Sequence, residues 1–412
     1  MPTTTIFRYS YSLDRWTSIC LFCTIFYMLK KILKSTFIFL IVFLNVFVLI
    51  FGIWLKKGNG ENYYRYTYTK KNERLTVLNF TNKKALYSDD KIEDIISNYF
   101  DVDESVLETI MEKSIIIPGL RSTKTLKENT SNEMSICTSM TPQGIVMSES
   151  YIFISAYCYT KEHNSVIYVL DKNTHEFIKE IILPDKSHVG SIAYDNVNQN
   201  IWVCCYEETK KLAFVCSISM SSIEQYSFDD YHLPIKYDMQ YQIDTQKRSS
   251  FMNYHDGSLY VGYFEKAIDQ ESTIQQFQIT EDGGLKTTNN LMSDVYDDEP
   301  DEYALPTSLF YINGNAQGMD LNDETIVITQ SYGSKNDSEL KVFSNTKDKD
   351  GNVDARNHSL LNSISLPVMA EDCYMDEEGN LYVCFESAAF SYRYRECDHL
   401  DRILFIPREL YS

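Results

Sequence analysis

A short glycine- or polar-led strand, a tight polar turn and a strongly apolar strand recur five times in the later part of this chain. The copies are PQGIVMSESYIFISAY from Pro142, VGSIAYDNVNQNIWVCCY from Val189, SSFMNYHDGSLYVGYF from Ser249, QGMDLNDETIVITQS from Gln317 and EDCYMDEEGNLYVCFES from Glu371. Further strand material follows each copy, as in NSVIYVLDKNTHEFIKEIILP, where two strands enclose a turn at Lys172 to His175. Each repeat therefore reads as a four-stranded unit. Repeat starts lie roughly 46 to 68 residues apart, the period of propeller blades with loops added. A β-sandwich has no need of one double-strand signature five times over.

The expected fold is thus all-β, a five- or six-bladed β-propeller over 137–412. Any sixth, degenerate blade would come from 74–140 or 285–315. Aromatics at 14% of the chain, with 31 Tyr, suit strands. The DRILFIP stretch near the C-terminus offers a third strand to the last blade. Arg74 to Phe80 could supply its fourth, closing the ring and hiding the sheet edges. Ahead of the repeats, Ile92, Ile95, Ile96, Tyr99, Val106, Leu107, Ile110 and Met111 recur at helical spacing. They predict one or two amphipathic helices over 88–114, broken near Asp101 and packed on the body within a 73–136 segment.

From Ser35 to Leu55 the chain carries no charge, long enough at about 1.5 Å per residue to cross a hydrocarbon core of about 30 Å. Residues 1–57 hold seven Lys/Arg against one acid, and the remainder 31 against 57. With Arg8, Arg15, Lys30, Lys31 and Lys34 ahead of the span, the expected topology is single-pass. Residues 1–34 are then cytoplasmic or interfacial, 35–55 the membrane helix, 56–72 a polar stalk and the rest extracytoplasmic. Initiation at Met28 would leave a compact Lys-rich lead instead. The acidic body and the lack of a basic patch with interleaved aromatics argue against nucleic acid as a partner.

Ten cysteines are an even count that permits disulfides in an outward-facing domain. Cys204 and Cys216 flank a predicted hairpin and read equally as buried hydrophobes. The CxxC spacing of Cys20 and Cys23 has no second pair to complete a zinc site.

The blade openings resemble the bacterial YncE-like and SMP-30/gluconolactonase-like propellers, whose inner strands begin with motifs such as PQGI and whose third strands are of the IYVLD type. The likeness covers about 137–407. With the abundance of Lys, Asn, Ile and Tyr, it implies a surface protein of a low-GC Gram-positive bacterium. That superfamily spans lactonases, esterases and plain binding modules, so the likeness speaks to fold more than to activity.

In a propeller the first strand of each blade lines the channel, which places Gln143, His188, Ser250, Gln317 and Glu371 at one mouth, with Asp372 beside the last. These are the candidate ligand-binding residues, for a small molecule or a protein. The resemblance implies a channel-bound divalent cation, yet calcium wants six to eight oxygens and Glu371 is the one clear carboxylate at these openings. Asp348 and Asp350 fall at ligand positions of an EF-hand-like loop, but Thr346 and Asn357 stand where Asp and a bidentate Glu are needed. No cofactor is therefore expected, calcium being the alternative. The acidic run from Asp294 to Glu302 reads as a solvated loop.

His188 would serve as a general base if Glu371 or Asp185 oriented it. Arg393 and Arg395 would hold an anion or pair with Glu386. No GxSxG elbow surrounds Ser191, Ser250 or Ser331. The expectation is a binding module without catalysis, the rival a metal-dependent lactonase or esterase using Glu371 and His188.

Overall fold

The computed structural model describes residues 27–31, 79–127, 133–207, 211–243, 248–289, 302–347, 349, 353 and 358–412. The chain divides into two units, Met1–Arg74 and Leu75–Ser412. No helix among the described residues is long and apolar enough to cross a membrane. The expected span 35–55, the stalk, Cys20 and Cys23 lie outside them, as do Asp348, Asp350 and most of the acidic run before Glu302.

The second unit is a five-bladed β-propeller. From inner to outer edge, blade 1 is Met140–Met147, Tyr151–Cys158, Val166–Asp171 and Phe177–Ile182. Blade 2 is Ile192–Asp195, Asn200–Glu207, Leu212–Ser219 and Met239–Ile243. Blade 3 is Phe251–His255, Ser258–Gly262, Glu271–Gln278 and Pro306–Asn313, and blade 4 is Ala316–Leu321, Thr325–Gln330, Ser338–Ser344 and Leu360–Leu366. Blade 5 is Ala370–Met375, Leu381–Phe385, Arg402–Ile406 and Ile115–Ile116. All pairings within the blades are antiparallel. Each inner strand also touches the next around the ring, and the fifth touches the first.

Each copy of the repeat supplies the two inner strands of one blade. Their continuous apolar character follows from the architecture: blades stack face to face, so both faces of a middle strand are covered. Tyr151–Cys158 is buried at every position after the first, while the outer strand Leu360–Leu366 is exposed or half-buried except at its last residue. The core is a ring of five interblade layers. Phe153 and Val169 meet Val203 and Ile218; Trp202 and Val215 meet Leu259 and Phe277; Phe251 and Phe310 meet Met319 and Ile328. Val327 and Leu340 meet Val383 and Leu404, and Cys384 and Ile403 meet Ile145 and Ile154.

The glycines that lead the repeats have a packing reason. A Cβ on Gly190 would lie 2.0 Å from Ser250 O, and one on Gly318 would lie 2.4 Å from Asp372 Cα. Only glycine lets neighbouring inner strands come this close.

Closure corrects one expectation. The DRILFIP stretch is the third strand of blade 5, but its fourth is Ile115–Ile116, with Ile115 opposite Ile403 and Ile116 opposite Arg402. Phe80 sits in a bend and is exposed. The intervening chain forms helices α1 (Asp89–Tyr99) and α2 (Glu104–Lys113), so the strand that reaches the ring is the one leaving α2. Asp103 caps α2 by accepting from Val106 N at 3.0 Å. The apolar stripe Ile92, Ile95, Ile96 and Ile110 packs into the layer between blades 4 and 5.

Among the described residues, neither region considered for a sixth blade forms one. Thr123–Leu126 with Met134–Cys137, and Thr287–Asn289 with Glu302–Ala304, are two-stranded sheets. The eight described cysteines are free thiols. Cys204 and Cys216 lie on neighbouring strands but enter different interblade layers, which places them on opposite faces of blade 2. At the EF-hand-like loop, Lys347 and Val353 form a β-bridge.

Candidate functional site

Gln143, His188, Ser250, Gln317 and Glu371 come from five different blade openings, and all line one axial cavity of about 830 Å³. Radial packing of the repeats brings them together. Asp372 does not line it. Side chains alternate along a strand, so Glu371 looks into the cavity and Asp372 into the wall between blades. There Asp372 Oδ2 accepts from Ile145 N at 3.2 Å and Ser191 Oγ at 2.8 Å. Asp320 plays a similar part, accepting from Met375 N at 2.6 Å. Burial raises both carboxyls, Asp320 to about 7.

The acidic wall belongs to blade 5. Ala370 pairs with Phe385, and a bulge follows on the inner strand, which leaves Glu371 beside Glu386. Their carboxyls are hydrogen bonded to each other. Burial first, then the Coulomb repulsion of Glu386, pushes Glu371 well up. Burial lifts Glu386 to about 7, with the Arg395 charge opposing. Glu371 is buried and Glu386 half-buried, and two such carboxyls in contact cannot both ionise cheaply, so the pair shares a proton near neutral pH. Gln143 Nε2 donates to Glu386 Oε2 at 3.3 Å.

A second stretch of the lining, from the connections of blades 1 to 3, is cationic. Lys161, Lys186 and Arg248 line the cavity near His188. The Lys161 ammonium is held below its usual value by burial, then by the positive charges of Lys186 and Arg248. Asp185 and Glu207 also line this side. Asp185 is engaged with Ser187 N at 2.8 Å and Tyr237 Oη at 3.2 Å.

His188 stacks on Tyr157, with ring centroids 3.9 Å apart at 29°. The expected orientation by Glu371 or Asp185 is not what the fold provides. By area the imidazole is exposed, yet it sits inside the concavity with protein packed around it. Crowding, then Lys161 and Arg248, lowers its pKa, so the ring is neutral at pH 7. Arg395 lies 4.5 Å over the Tyr392 ring and its charge acts on Glu386, whereas Arg393 donates to Leu120 O and leaves the cavity.

A calcium ion fits this donor set poorly. Glu371 and Glu386 share a proton and Asp372 is spent in the wall. The amide oxygens of Gln143 and Gln317 leave the count short of six to eight.

Glu386, Lys161, Lys186 and Arg248 are the cavity residues that the repeat pattern does not single out. Each sits in a connection: Glu386 and Lys161 lie one and three residues beyond a second strand, Lys186 between blades 1 and 2, and Arg248 three residues ahead of the inner strand of blade 3. A template of residues flanking second strands would have found Glu386 and Lys161, and one of the blade-to-blade connections Lys186 and Arg248.

The fold and site define a five-bladed β-propeller with an open, polar axial cavity. No family model matches the chain, and no curated protein matches it. YncE-like or gluconolactonase-like membership is thus unsupported by a family match. Similar solved structures include an exo-beta-1,3-galactanase from Phanerochaete chrysosporium, at 9% identity over 73% of this chain and 70% of that one, TM-score 0.39. Another is a putative oxidoreductase (glucose dehydrogenase) from Thermus thermophilus, at 10% identity over 69% and 90%, TM-score 0.35. A protein of unknown function from Bacteroides caccae is similar at 13% identity over 54% of this chain, TM-score 0.30, and the match spans 61% of that protein.

Proposed function

We propose that the chain is a binding module whose axial cavity takes a small, hydroxyl-bearing anion such as a sugar acid or sugar phosphate, and that residues 35–55 tether it to a membrane with the propeller extracytoplasmic. The carrying observation is the cluster of Lys161, Lys186 and Arg248 inside a chain of net charge −20. Three cations gathered along one cavity raise the local potential and draw an anionic ligand to it. The Gln143 and Gln317 amides and the shared carboxyl proton supply donors and acceptors for hydroxyls. Tyr159, Tyr206, Phe264 and Tyr332 supply apolar faces. The uncharged 35–55 run and the basic residues before it support the tether.

The experiment is a thermal-shift panel on the full-length chain in mild detergent, pairing each sugar acid or phosphate with its neutral counterpart. Stabilisation by the anionic member alone, lost in Arg248→Glu, supports the reading. Equal response to both members contradicts it.

A second reading, hydrolysis, is favoured by the Glu371–Glu386 pair, in which one carboxyl is placed to give a proton while the other takes one from water. It uses neither His188 nor a metal. Turnover of lactones or esters by the purified chain, abolished in Glu371→Gln, would establish it over simple binding.

A further inference from the structure

Away from the acidic and cationic walls, three metal-ligating side chains meet beneath blade 1. Cys137 ends the short strand Met134–Cys137, Cys158 ends the second strand of the blade, and His163 lies in the loop that leads to the third. Their ligand atoms all lie within 4.8 Å of one another. Cys137 Sγ is 3.5 Å from Cys158 Sγ, and Cys158 Sγ is 3.4 Å from His163 Nδ1. A tetrahedral ion with bonds of about 2.3 Å to sulfur and about 2.0 Å to nitrogen holds its ligands about 3.8 Å (S–S) and about 3.5 Å (S–N) apart. Both edges at Cys158 are nearly those of such an ion, and the third is within 4.8 Å.

We infer that Cys137, Cys158 and His163 form a structural zinc site. The surroundings are those of a closed metal centre. Cys137 is 0%, Cys158 2% and His163 9% exposed. The far nitrogen of the imidazole, Nε2, is 3.1 Å from Ser135 Oγ, a contact that fixes the ring with Nδ1 towards the sulfurs. Ser139 N donates to Cys137 Sγ at 3.4 Å, as a backbone amide does to a metal-bound thiolate. Ser139 Oγ stands 3.5 Å from one sulfur and 3.6 Å from the other, and it or a water would complete the shell.

The donor set selects the ion. Two thiolates and an imidazole suit a borderline-soft ion and leave nothing for calcium or magnesium. Two thiolate charges cancel those of Zn²⁺, so the occupied cluster is neutral, as burial requires. Binding couples local order to the cavity. Tyr159 and Lys161, which line the cavity, lie in the short span between Cys158 and His163. A metal holding both ends of that span fixes the start of the cationic wall.

The test is metal analysis of the full-length chain purified under reducing conditions. We expect one equivalent of zinc, falling below about a tenth in Cys158→Ser and in His163→Ala, and unchanged in Cys397→Ser, which alters a thiol outside the cluster. The variants could lose zinc by unfolding, so a second measurement uses the unaltered chain. After chelation, titration with Co²⁺ should give the visible bands of a tetrahedral site and a sulfur-to-cobalt charge-transfer band, saturating at one equivalent and displaced by Zn²⁺. Either of two results overturns the inference: no stoichiometric metal in both measurements, or zinc retained by Cys158→Ser. A Cys137–Cys158 disulfide in the freshly isolated chain overturns it as well.

Discussion

Glu371 and Asp372 are consecutive acids on one strand, yet they serve opposite sides of it. Asp372 is locked into the wall between blades, where its carboxylate joins backbone of blade 1 to a serine of blade 2. Glu371 faces the cavity, and its partner is another acid. The first holds the ring together. The second is a group that the fold does not need in charged form, and such a group is free to serve a ligand. Residue type alone cannot separate the two; the pleat does.

Removing each acid should therefore have opposite consequences. Asp372→Ala leaves Ile145 N–H buried without an acceptor and opens a void, so we expect a loss of about 3 kcal/mol, read as a lower denaturant midpoint. Asp372→Asn, which keeps an acceptor, should recover most of it. Cavity binding per folded molecule should survive both. An Asp372→Ala chain as stable as the parent would break the comparison.

The cavity side is probed next. Arg248→Glu places a negative charge on the cationic wall and should weaken an anionic ligand by roughly thirtyfold, about 2 kcal/mol, with the unfolding midpoint nearly unchanged. Equilibrium titration of both proteins with the best anion from the panel checks this. Glu371→Gln is the smaller, sharper contrast. It removes the like-charge penalty and keeps a hydrogen-bonding group, so stability at pH 8 should hold or rise by about 1 kcal/mol. A clear destabilisation would show that Glu371 belongs with the wall.

Acidity acts through the same kind of group, spread over a wide pH range. Glu386 and Asp320 have folded pKa values near 7, above those of free carboxyls. Between about pH 4.5 and 7 the folded chain holds protons that the unfolded chain has released. Stability should thus fall as pH rises through that window, by up to about 1.4 kcal/mol per pH unit for each group. Glu386→Gln should flatten the slope, as denaturation curves across the window would show.

The blade-building part of the molecule was legible because covering both faces of a middle strand forces long apolar runs, and tight ring packing forces glycine at Gly190 and Gly318. The five openings were legible for the same reason, since one residue per repeat must point at the axis. Closure was not, because Ile115–Ile116 is two residues long and its identity as a strand depends on a partner far along the chain. The Glu371–Glu386 contact depends on a bulge, and the Cys137–Cys158–His163 cluster on a hairpin outside the repeats meeting blade 1. Neither leaves a period in the sequence.

One cavity joins a proton-sharing acidic pair to a cluster of cations, and the proposed anion would lie between them. Calorimetric titration of the full-length chain with the best anion at pH 6 and pH 8, in buffers of different ionisation enthalpy, measures this directly. Binding should be several-fold tighter at pH 6, with net proton uptake at pH 8 that disappears in Glu386→Gln. Equal affinity at both values with no proton exchange would contradict it.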